Sequence, residues 1–282
     1  MSKVALVTDS TAYIPKELVN QYEITVTPQV LIWGEETFRD GVDIQPDEFY
    51  SRLLKSPTLP STSQATPGAF IKIFTKLLEE GHEVLAVLIS EKLSGTMCSA
   101  LQALEQFPGA PIAVVDSTTT AMGMGFQVLA AARAAEQGAT LAECKRLVEE
   151  ARNHTGVFIT LDTLEFLHRG GRIGGGARFL GTALNIKPIL ELRDGQLEAI
   201  ERVRTRNRAM NRVVELVEEK IGGSKPVHLA SLHANCEADA CLILDKMNGN
   251  VEAVERLITT VSPVVGTHVG PGTVGIAYMA GF

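Results

Sequence analysis

The chain has 282 residues, of which 45% are hydrophobic, 5% aromatic and 21% charged, and its formal net charge is −7. Such a chain is long and apolar enough for one large α/β domain or two smaller ones, and its composition argues against disorder. The negative charge argues against general nucleic-acid binding, which needs a basic surface.

The cysteine pattern and the distribution of apolar residues narrow the class of protein further. The four cysteines form no CxxC pair and have no histidine at zinc-finger spacing, so they are typical of reduced cytosolic thiols. The start of the sequence does not resemble a signal peptide, and no apolar stretch approaches the roughly 18 residues of a membrane span. The sequence therefore predicts a soluble cytoplasmic protein without a metal site.

The first half of the sequence alternates between strand-like and helix-like patterns. Short apolar runs at 4–7, 84–89 and 112–115 predict strands buried on both faces of a parallel sheet. After Thr66-Pro67-Gly68, apolar residues recur at helical spacing, with Thr66 as the expected N-cap and Gly81 as the end of the helix. The remaining predicted elements are a hairpin over 26–36 and helices over 126–136 and 141–152. This alternation predicts a three-layer α/β sandwich.

The composition changes in the middle of the chain, where a glycine-rich stretch occupies 169–176. Further on, the turn Arg193-Asp194-Gly195 predicts a β-hairpin. The elements expected in this half are strands over 188–192, 197–203, 227–232 and 274–279 and helices over 206–220 and 238–247. Hairpins mixed with helices indicate an α+β fold, so we expect two closely packed domains, 1–157 and 158–282.

Each of the three buried strands is followed by small hydroxyl-bearing residues. The segments are Asp9-Ser10-Thr11, Ser94-Gly95-Thr96 and Asp116-Ser117-Thr118. Ligands of α/β sheets bind at the carboxyl ends of the strands, where hydroxyls and helix N-termini suit an oxyanion. Plain helix capping is the alternative for each segment. Ser94-Gly95-Thr96 is the best candidate, because Gly95 has no other evident use there.

Further candidates for the same anionic ligand lie elsewhere in the chain. Thr62 and Ser63 come just before a predicted helix, where a polar loop is the alternative interpretation. His268 and Thr273 lie in a predicted glycine-rich loop, where a tight turn is the alternative. Arg172 lies in the glycine-rich stretch, and a guanidinium there would match the geometry of a carboxylate or a phosphate.

Arginines at 202, 204, 206, 208 and 212 form a second basic cluster. In a strand, the alternation from 202 to 208 would place four of them on one side, which favours an anionic partner; a solvated face is the alternative. The chain has no GxSxG, Walker A or HExxH sequence. Ser94 would be a nucleophile only with a base such as His268 beside it, so binding needs fewer assumptions than catalysis.

Nine short segments, in order along essentially the whole chain, resemble the DegV family. No single segment is specific, but nine in order are. They are Val7-Thr8-Asp9-Ser10-Thr11, Arg39-Asp40-Gly41-Val42-Asp43, Thr62-Ser63-Gln64, Leu93-Ser94-Gly95-Thr96, Val115-Asp116-Ser117, Gly170-Gly171-Arg172-Ile173, Asn185-Ile186-Lys187-Pro188, Arg202-Val203-Arg204-Thr205 and His268-Val269-Gly270-Pro271-Gly272.

The resemblance implies a bacterial fatty-acid-binding protein with two α/β domains and a ligand tunnel between them, similar to the FakB subunits of fatty acid kinase. In that system a separate ATP-using subunit phosphorylates the carboxylate of the bound acid. No cofactor, metal or catalytic residue is therefore expected in this chain. The expected partners are a long-chain fatty acid and the kinase subunit; transient membrane contact is compatible with this role.

By the same resemblance, Thr62 and Ser94 would hydrogen-bond the carboxylate, and Arg172 and Arg204 would belong to a positive surface that docks the kinase. The full set of implied head-group residues is Thr62, Ser63, Ser94, Gly95, Thr96, His268 and Thr273. Two alternatives stay open. One is an enzyme acting on a small phosphorylated or carboxylated metabolite at the same loops, and the other is a protein-interaction module using the arginine cluster.

Overall fold

The structure is a computed structural model that describes residues 3–179 and 186–282. Its first elements are β1 (Val4–Asp9), α1 (Lys16–Gln21), β2 (Thr25–Thr27), β3 (Val30–Trp33), β4 (Glu36–Arg39), α2 (Pro46–Leu53), β5 (Ser61–Ser63), α3 (Pro67–Glu79), β6 (Glu83–Leu88), α4 (Thr96–Leu104), β7 (Ile112–Asp116), α5 (Ala121–Glu136) and α6 (Leu141–Ala151). Those that follow are β8 (Thr155–Thr160), α7 (Glu165–Arg169), β9 (Lys187–Arg193), β10 (Gln196–Val203), α8 (Arg206–Ile221), β11 (Val227–His233), α9 (Glu237–Asn248), β12 (Glu255–Thr260), α10 (Pro263–Val269) and β13 (Val274–Ala280).

The three predicted buried strands lie together in a parallel sheet, in the order β2-β1-β6-β7. Helices α3 and α4 pack on one face of this sheet and α5 and α6 on the other, which confirms the three-layer sandwich. The strands lack polar alternation because both faces are covered. Helix α3 begins as predicted, with the Thr66 hydroxyl accepting a hydrogen bond from the Ala69 amide.

Helix α5 begins at Ala121, five residues before the predicted start, and is buried on nearly all sides. It packs against β1 and β6 of the parallel sheet and against β8, β11 and β13 of the second sheet. Two glycines permit this close approach. A Cβ at Gly123 would lie 2.8 Å from Val157 Cγ2, and one at Gly125 would lie 2.7 Å from the Ala12 carbonyl oxygen.

The second half of the chain forms a six-stranded mixed sheet in the order β10-β9-β8-β13-β11-β12. All neighbouring pairs are antiparallel except β11 and β12. The predicted hairpin is present, and its turn residues Asp194 and Gly195 have φ angles of 49° and 82°, as a two-residue hairpin turn requires. Helices α8 and α9 cover one face of this sheet, so the predicted α+β fold is confirmed.

Several local predictions need correction. The hairpin expected over 26–36 is formed by β3 and β4 alone, while β2 joins the parallel sheet and β5 pairs with β3. The alternating arginines do not share one strand, because β10 ends at Val203 and Thr205 caps α8. The serine and threonine hydroxyls before α3 lie on a strand, β5, and not in a loop.

The boundary predicted at residue 157 falls inside β8, a strand of the six-stranded sheet, and the division into two domains stays a prediction. One hydrophobic cluster contains side chains of both sheets, including Leu85 of β6 and Leu190 of β9. Asn185, from one of the family-like segments, lies outside the described residues. Within the described ranges, no helix combines the length and apolar character needed to cross a bilayer.

Candidate functional site

A cavity lies between the carboxyl edge of the parallel sheet and the inner face of the six-stranded sheet. It holds about 900 Å³ of space free of protein atoms, part of which is open to solvent. Its apolar lining comprises Ile89, Leu93, Ala121, Val157, Ile159, Leu167, Leu192, Leu197, Leu232, Val261, Val264, Val265 and Val269.

Strand alternation explains why the wall from the six-stranded sheet is apolar. Val157 and Ile159 on β8 point into the cavity, while Phe158 between them joins the cluster beneath α8 on the opposite face. Leu192 pairs with Val157 across the sheet and Leu197 pairs with Leu192, so these side chains form a continuous row. The sheet therefore offers the cavity a hydrocarbon surface.

Polar side chains also line the cavity, and most come from segments singled out in the sequence. They are Thr11, Tyr13, Gln29, Thr62, Ser63, Gln64, Ser94, Thr120, Arg172, His268 and Thr273. Two of the implied head-group residues, Gly95 and Thr96, are not part of the lining. Arg204 is exposed on the segment between β10 and α8 and does not line the cavity either.

The turn after β6 presents Ser94, whose Oγ lies 2.8 Å from Thr96 Oγ1. Thr96 is the first residue of α4 and is fully buried. Gly95 has a packing role that the sequence did not reveal, because a Cβ there would lie 2.8 Å from the Gln64 side-chain nitrogen. The absence of a side chain at this position lets the segment that follows β5 approach the Ser94 turn.

His268 lies on the short helix α10, not in the predicted glycine-rich loop. Its Nε2 atom is 2.8 Å from the Thr62 hydroxyl on β5, so the two halves of the chain meet at this hydrogen bond. Burial and, to a smaller extent, the nearby Arg172 charge lower the pKa of His268 to about 4. The imidazole is therefore neutral near pH 7 and can share only one proton with its surroundings.

Helix α10 is attached to the parallel-sheet half through Asp40. This buried carboxylate accepts hydrogen bonds from the Ser10 hydroxyl at 2.6 Å and from the Val264 amide, in the first turn of α10, at 3.2 Å. Burial raises the pKa of Asp40 to about 6. The family-like segment around Asp40 thus positions the helix that carries His268, a role that its sequence did not suggest.

The glycine-rich stretch fits closely around His268 and Ser94. A Cβ at Gly170 would overlap the His268 ring at Nδ1. Arg172 donates from Nε to the Leu93 carbonyl at 3.1 Å and from a terminal nitrogen to the Gly170 carbonyl at 2.8 Å. The guanidinium therefore holds this stretch beside the Ser94 turn and also lines the cavity. Farther on, a Cβ at Gly174 would lie 2.5 Å from the Leu197 carbonyl oxygen, which keeps the following 3-10 turn against β10.

The other two hydroxyl segments serve mainly as local caps. Asp9 accepts hydrogen bonds from the amides of Thr11, at 3.0 Å, and Ile89, at 2.8 Å, and its burial raises its pKa. Asp116 accepts a hydrogen bond from the Thr118 amide at 2.7 Å. Ser117, between these two residues, does not line the cavity. Of these two segments, only Thr11 contributes to the lining.

The arginine cluster is largely engaged by neighbouring side chains. Arg206 pairs with Asp162 and Asp239, and Arg202 stacks 5.1 Å from the Phe179 ring centroid. Arg212 contacts three glutamates on β10 and α8, Glu201, Glu215 and Glu219. The cluster is therefore less available to an anionic partner than the sequence suggested. In the part of the chain that the structure describes, no group of three or more His, Cys, Asp or Glu side chains could hold a metal ion.

Comparisons with known proteins show a family relationship over nearly the whole chain. A family model described as "Uncharacterised protein, DegV family" matches residues 3–281. A DegV domain-containing protein of Clostridium perfringens is 34% identical over 279 residues, which is 98% of each chain. The protein DegV of Bacillus subtilis is 33% identical over 276 residues, also 98% of each chain.

Solved structures are similar over the same length. The structure of a DegV family protein from Thermus thermophilus, described by its fatty acid binding, matches with a TM-score of 0.94 and 34% identity over 99% of both chains. The crystal structure of DegV from Bacillus subtilis, described as a fatty acid binding protein, matches with a TM-score of 0.89 and 31% identity. That match covers 99% of this chain and 100% of the other.

The close fit of His268 against Gly170 predicts that Gly170→Ala destabilises the protein. The added methyl group would displace the imidazole and break its bond to Thr62, at a cost of about 1–3 kcal/mol in the free energy of unfolding. Gly249→Ala is a matched control, because Gly249 also ends a helix with a negative φ and a Cβ there meets only ordinary contacts. Urea unfolding of both variants checks this, and equal midpoints for the two would contradict it.

The environment of His268 also predicts its titration. Because its pKa in the folded protein, about 4, is below the ordinary value of 6.5, its neutral form contributes stability above pH 6.5 that is lost as the pH falls toward 4. In NMR spectra assigned with a His268→Gln variant, the ring signals should stay in the neutral position down to about pH 5. A titration midpoint near 6.5 in the folded protein would show that the ring is not buried in this way.

Proposed function

The chain belongs to the DegV family, and on that premise we propose that it binds a long-chain fatty acid and presents the carboxylate to a separate fatty acid kinase subunit. The observation that carries the proposal is an apolar cavity with hydroxyl groups and a neutral histidine among its lining. The solved relatives from Thermus thermophilus and Bacillus subtilis support it, because both are described as fatty-acid-binding proteins.

The apolar wall of the cavity would stabilise a bound acyl chain by the hydrophobic effect. Burial of a methylene group contributes about 0.8 kcal/mol, so the 14 methylenes of palmitate would contribute about 11 kcal/mol before the costs of association are subtracted. The row formed by Val157, Leu192 and Leu197 provides the continuous hydrocarbon surface that such a chain needs. A small phosphorylated metabolite would gain nothing from this surface.

The polar lining matches a carboxylate that must remain reactive. Hydroxyl groups such as those of Thr62 and Ser94 donate hydrogen bonds without transferring a proton, so a bound carboxylate keeps its charge and a free lone pair. Arg172 adds a positive charge to the same lining. In our proposal, an oxygen of the bound carboxylate attacks the γ-phosphoryl group of ATP that the kinase subunit supplies, so that acyl phosphate forms and ADP leaves.

The hydrogen bonds in the site favour binding over catalysis by this chain alone. A serine nucleophile needs a base within hydrogen-bond reach. Ser94 is bonded to Thr96, whereas the Nε2 atom of His268 is bonded to Thr62. With its pKa lowered to about 4, His268 is also a weak base. These pairings support a site that holds an anion in preference to one that activates a nucleophile.

The surface proposed to dock the kinase is exposed next to the cavity. Arg172 contributes both to the cavity lining and to the exposed surface. The 3-10 turn that follows it packs on β10, where Phe179 meets Arg202, two residues before the exposed Arg204. We assign Arg172 and Arg204 to the docking surface from the resemblance to the FakB subunits; Arg206 and Arg212, by contrast, are paired with acidic neighbours.

We predict that the protein purified after heterologous expression carries long-chain fatty acid, detectable by mass spectrometry of a denatured extract. After delipidation it should bind palmitate or oleate, and Ser94→Ala should weaken binding roughly tenfold, because a hydrogen bond to a charged group is lost. Ser51→Ala, at an exposed position on α2, is the control and should bind like the parent protein. Absence of lipid in the extract together with no binding of added palmitate or oleate would sink the proposal.

If Arg204 belongs to the docking surface, Arg204→Glu should slow the kinase reaction without changing palmitate binding. With a purified ATP-dependent fatty acid kinase subunit, the acid bound to this variant should be phosphorylated roughly tenfold more slowly, because charge reversal disfavours the complex. The palmitate affinity of the variant should stay unchanged. Arg256→Glu, at an exposed position on β12, should affect neither property. Acyl phosphate formed by this chain and ATP without the kinase, or a normal rate for Arg204→Glu, would contradict the proposed division of labour.

A further inference from the structure

Gln29, which no sequence motif singles out, connects three segments around the cavity. Its side-chain oxygen accepts a hydrogen bond from the Ala65 amide at 3.0 Å, and its side-chain nitrogen donates to Thr96 Oγ1 at 2.8 Å. Its own backbone amide donates to the Ser10 hydroxyl at 3.1 Å. Gln29 is only 2% exposed, so these bonds are made in a site with little access to water.

The surroundings of Gln29 fix the orientation of its side-chain amide. The Ala65 amide can only donate, so the oxygen of Gln29 must face it and the NH2 group must face Thr96. Thr96 Oγ1 therefore accepts a hydrogen bond from Gln29. Thr96 has one hydroxyl proton of its own, and Ser94 Oγ lies 2.8 Å away as an acceptor.

The opposite direction of the Thr96–Ser94 bond is unfavourable. If Ser94 donated to Thr96, the proton of the fully buried Thr96 hydroxyl would have no described acceptor. A buried donor without a partner costs about 1–3 kcal/mol, more than a typical hydrogen bond contributes. The chain of donors therefore runs from Gln29 to Thr96 to Ser94, and the proton of Ser94 remains available to the cavity.

We propose that Gln29 is a positioning residue that, through Thr96, makes Ser94 a hydrogen-bond donor toward a head group that can only accept, such as a carboxylate. This inference rests on the proposed binding of a fatty acid and adds the basis of its head-group selectivity. A carboxylate has only acceptor atoms, whereas an alcohol can donate or accept. A fixed donor thus favours a carboxylate, and it gives no comparable advantage to a fatty alcohol of the same length.

The test is a double-mutant cycle that measures palmitate binding to delipidated protein by equilibrium dialysis. Gln29→Met keeps the side-chain length but removes the donor to Thr96, so palmitate affinity should fall roughly fivefold, the equivalent of one ordinary hydrogen bond. In a Ser94→Ala background the same substitution should change the affinity less than about twofold, because Gln29 acts through Ser94. The affinity for hexadecan-1-ol should change less than about twofold in either background.

Three variants serve as controls for folding and for the pathway of the effect. Gln102→Met, at an exposed position on α4, should bind palmitate like the parent protein. If Gln29→Met does not fold, Thr96→Val and Thr96→Ser provide an independent test. Thr96→Ser keeps the hydroxyl and should keep the affinity, whereas Thr96→Val removes it and should lose about as much as Gln29→Met.

The outcomes separate this inference from the proposed function. Equal losses caused by Gln29→Met with and without Ser94, equal losses for palmitate and hexadecan-1-ol, or equal affinities of Thr96→Val and Thr96→Ser would each overturn the role of Gln29. In those cases binding by the parent protein, and its loss in Ser94→Ala, would still support a fatty-acid site. A parent protein that does not bind palmitate would overturn both.

Discussion

The hydrogen bond between Thr62 and His268 joins parts of the chain that are 206 residues apart, and the rest of the site depends on it. Thr62 lies on β5, which pairs with β3, and His268 lies on α10 in the other half of the chain. The bond needs a glycine at position 170 to leave room for the ring and Asp40 to hold the start of α10. Together these features bring β5, which carries Thr62, and α10, which carries His268, to the same cavity.

The cavity lies where the parallel sheet and the six-stranded sheet meet around the buried helix α5. Helix α5 touches both sheets, and its two glycines let it lie close to Val157 on one side and to Ala12 on the other. Beyond the start of α5, the sheets are separated by a space lined with aliphatic side chains. Filling this space with an acyl chain would recover the dispersion and hydrophobic contributions that a void forgoes.

Much of the fold could be predicted from local patterns, because buried parallel strands and capped amphipathic helices have clear signatures. Strands β1, β6 and β7 of the parallel sheet, the start of α3 and the Asp194-Gly195 hairpin were all predicted from the sequence, whereas β2 was placed in a hairpin. The start of α5 was predicted wrongly, because a helix buried on nearly all sides loses most of its polar face and its periodic pattern. Helix α10 was missed because its seven residues include a proline and a glycine.

The candidate site was predictable only in part. The DegV-like segments pointed to Thr62, Ser63, Ser94, His268, Thr273 and Arg172, and all of these line one cavity. Gln29 carried no signal, since its role depends on bonds to residues 36 and 67 positions away. The alternating arginines were predicted to share one side of a strand, which is wrong because β10 ends at Val203 and α8 begins at Arg206. The pairing of Arg206 with Asp239 on α9 could not be read from the local pattern.

The central claim is that one cavity holds an acyl chain along its apolar wall and a carboxylate at its hydroxyl groups. A crystal structure of the delipidated protein soaked with palmitate tests this most directly. The account predicts a carboxylate within hydrogen-bond distance of the Ser94 and Thr62 hydroxyls, and carbon density running along Val157, Leu192 and Leu197. An empty cavity at saturating palmitate, or a carboxylate bound away from both hydroxyls, would contradict it.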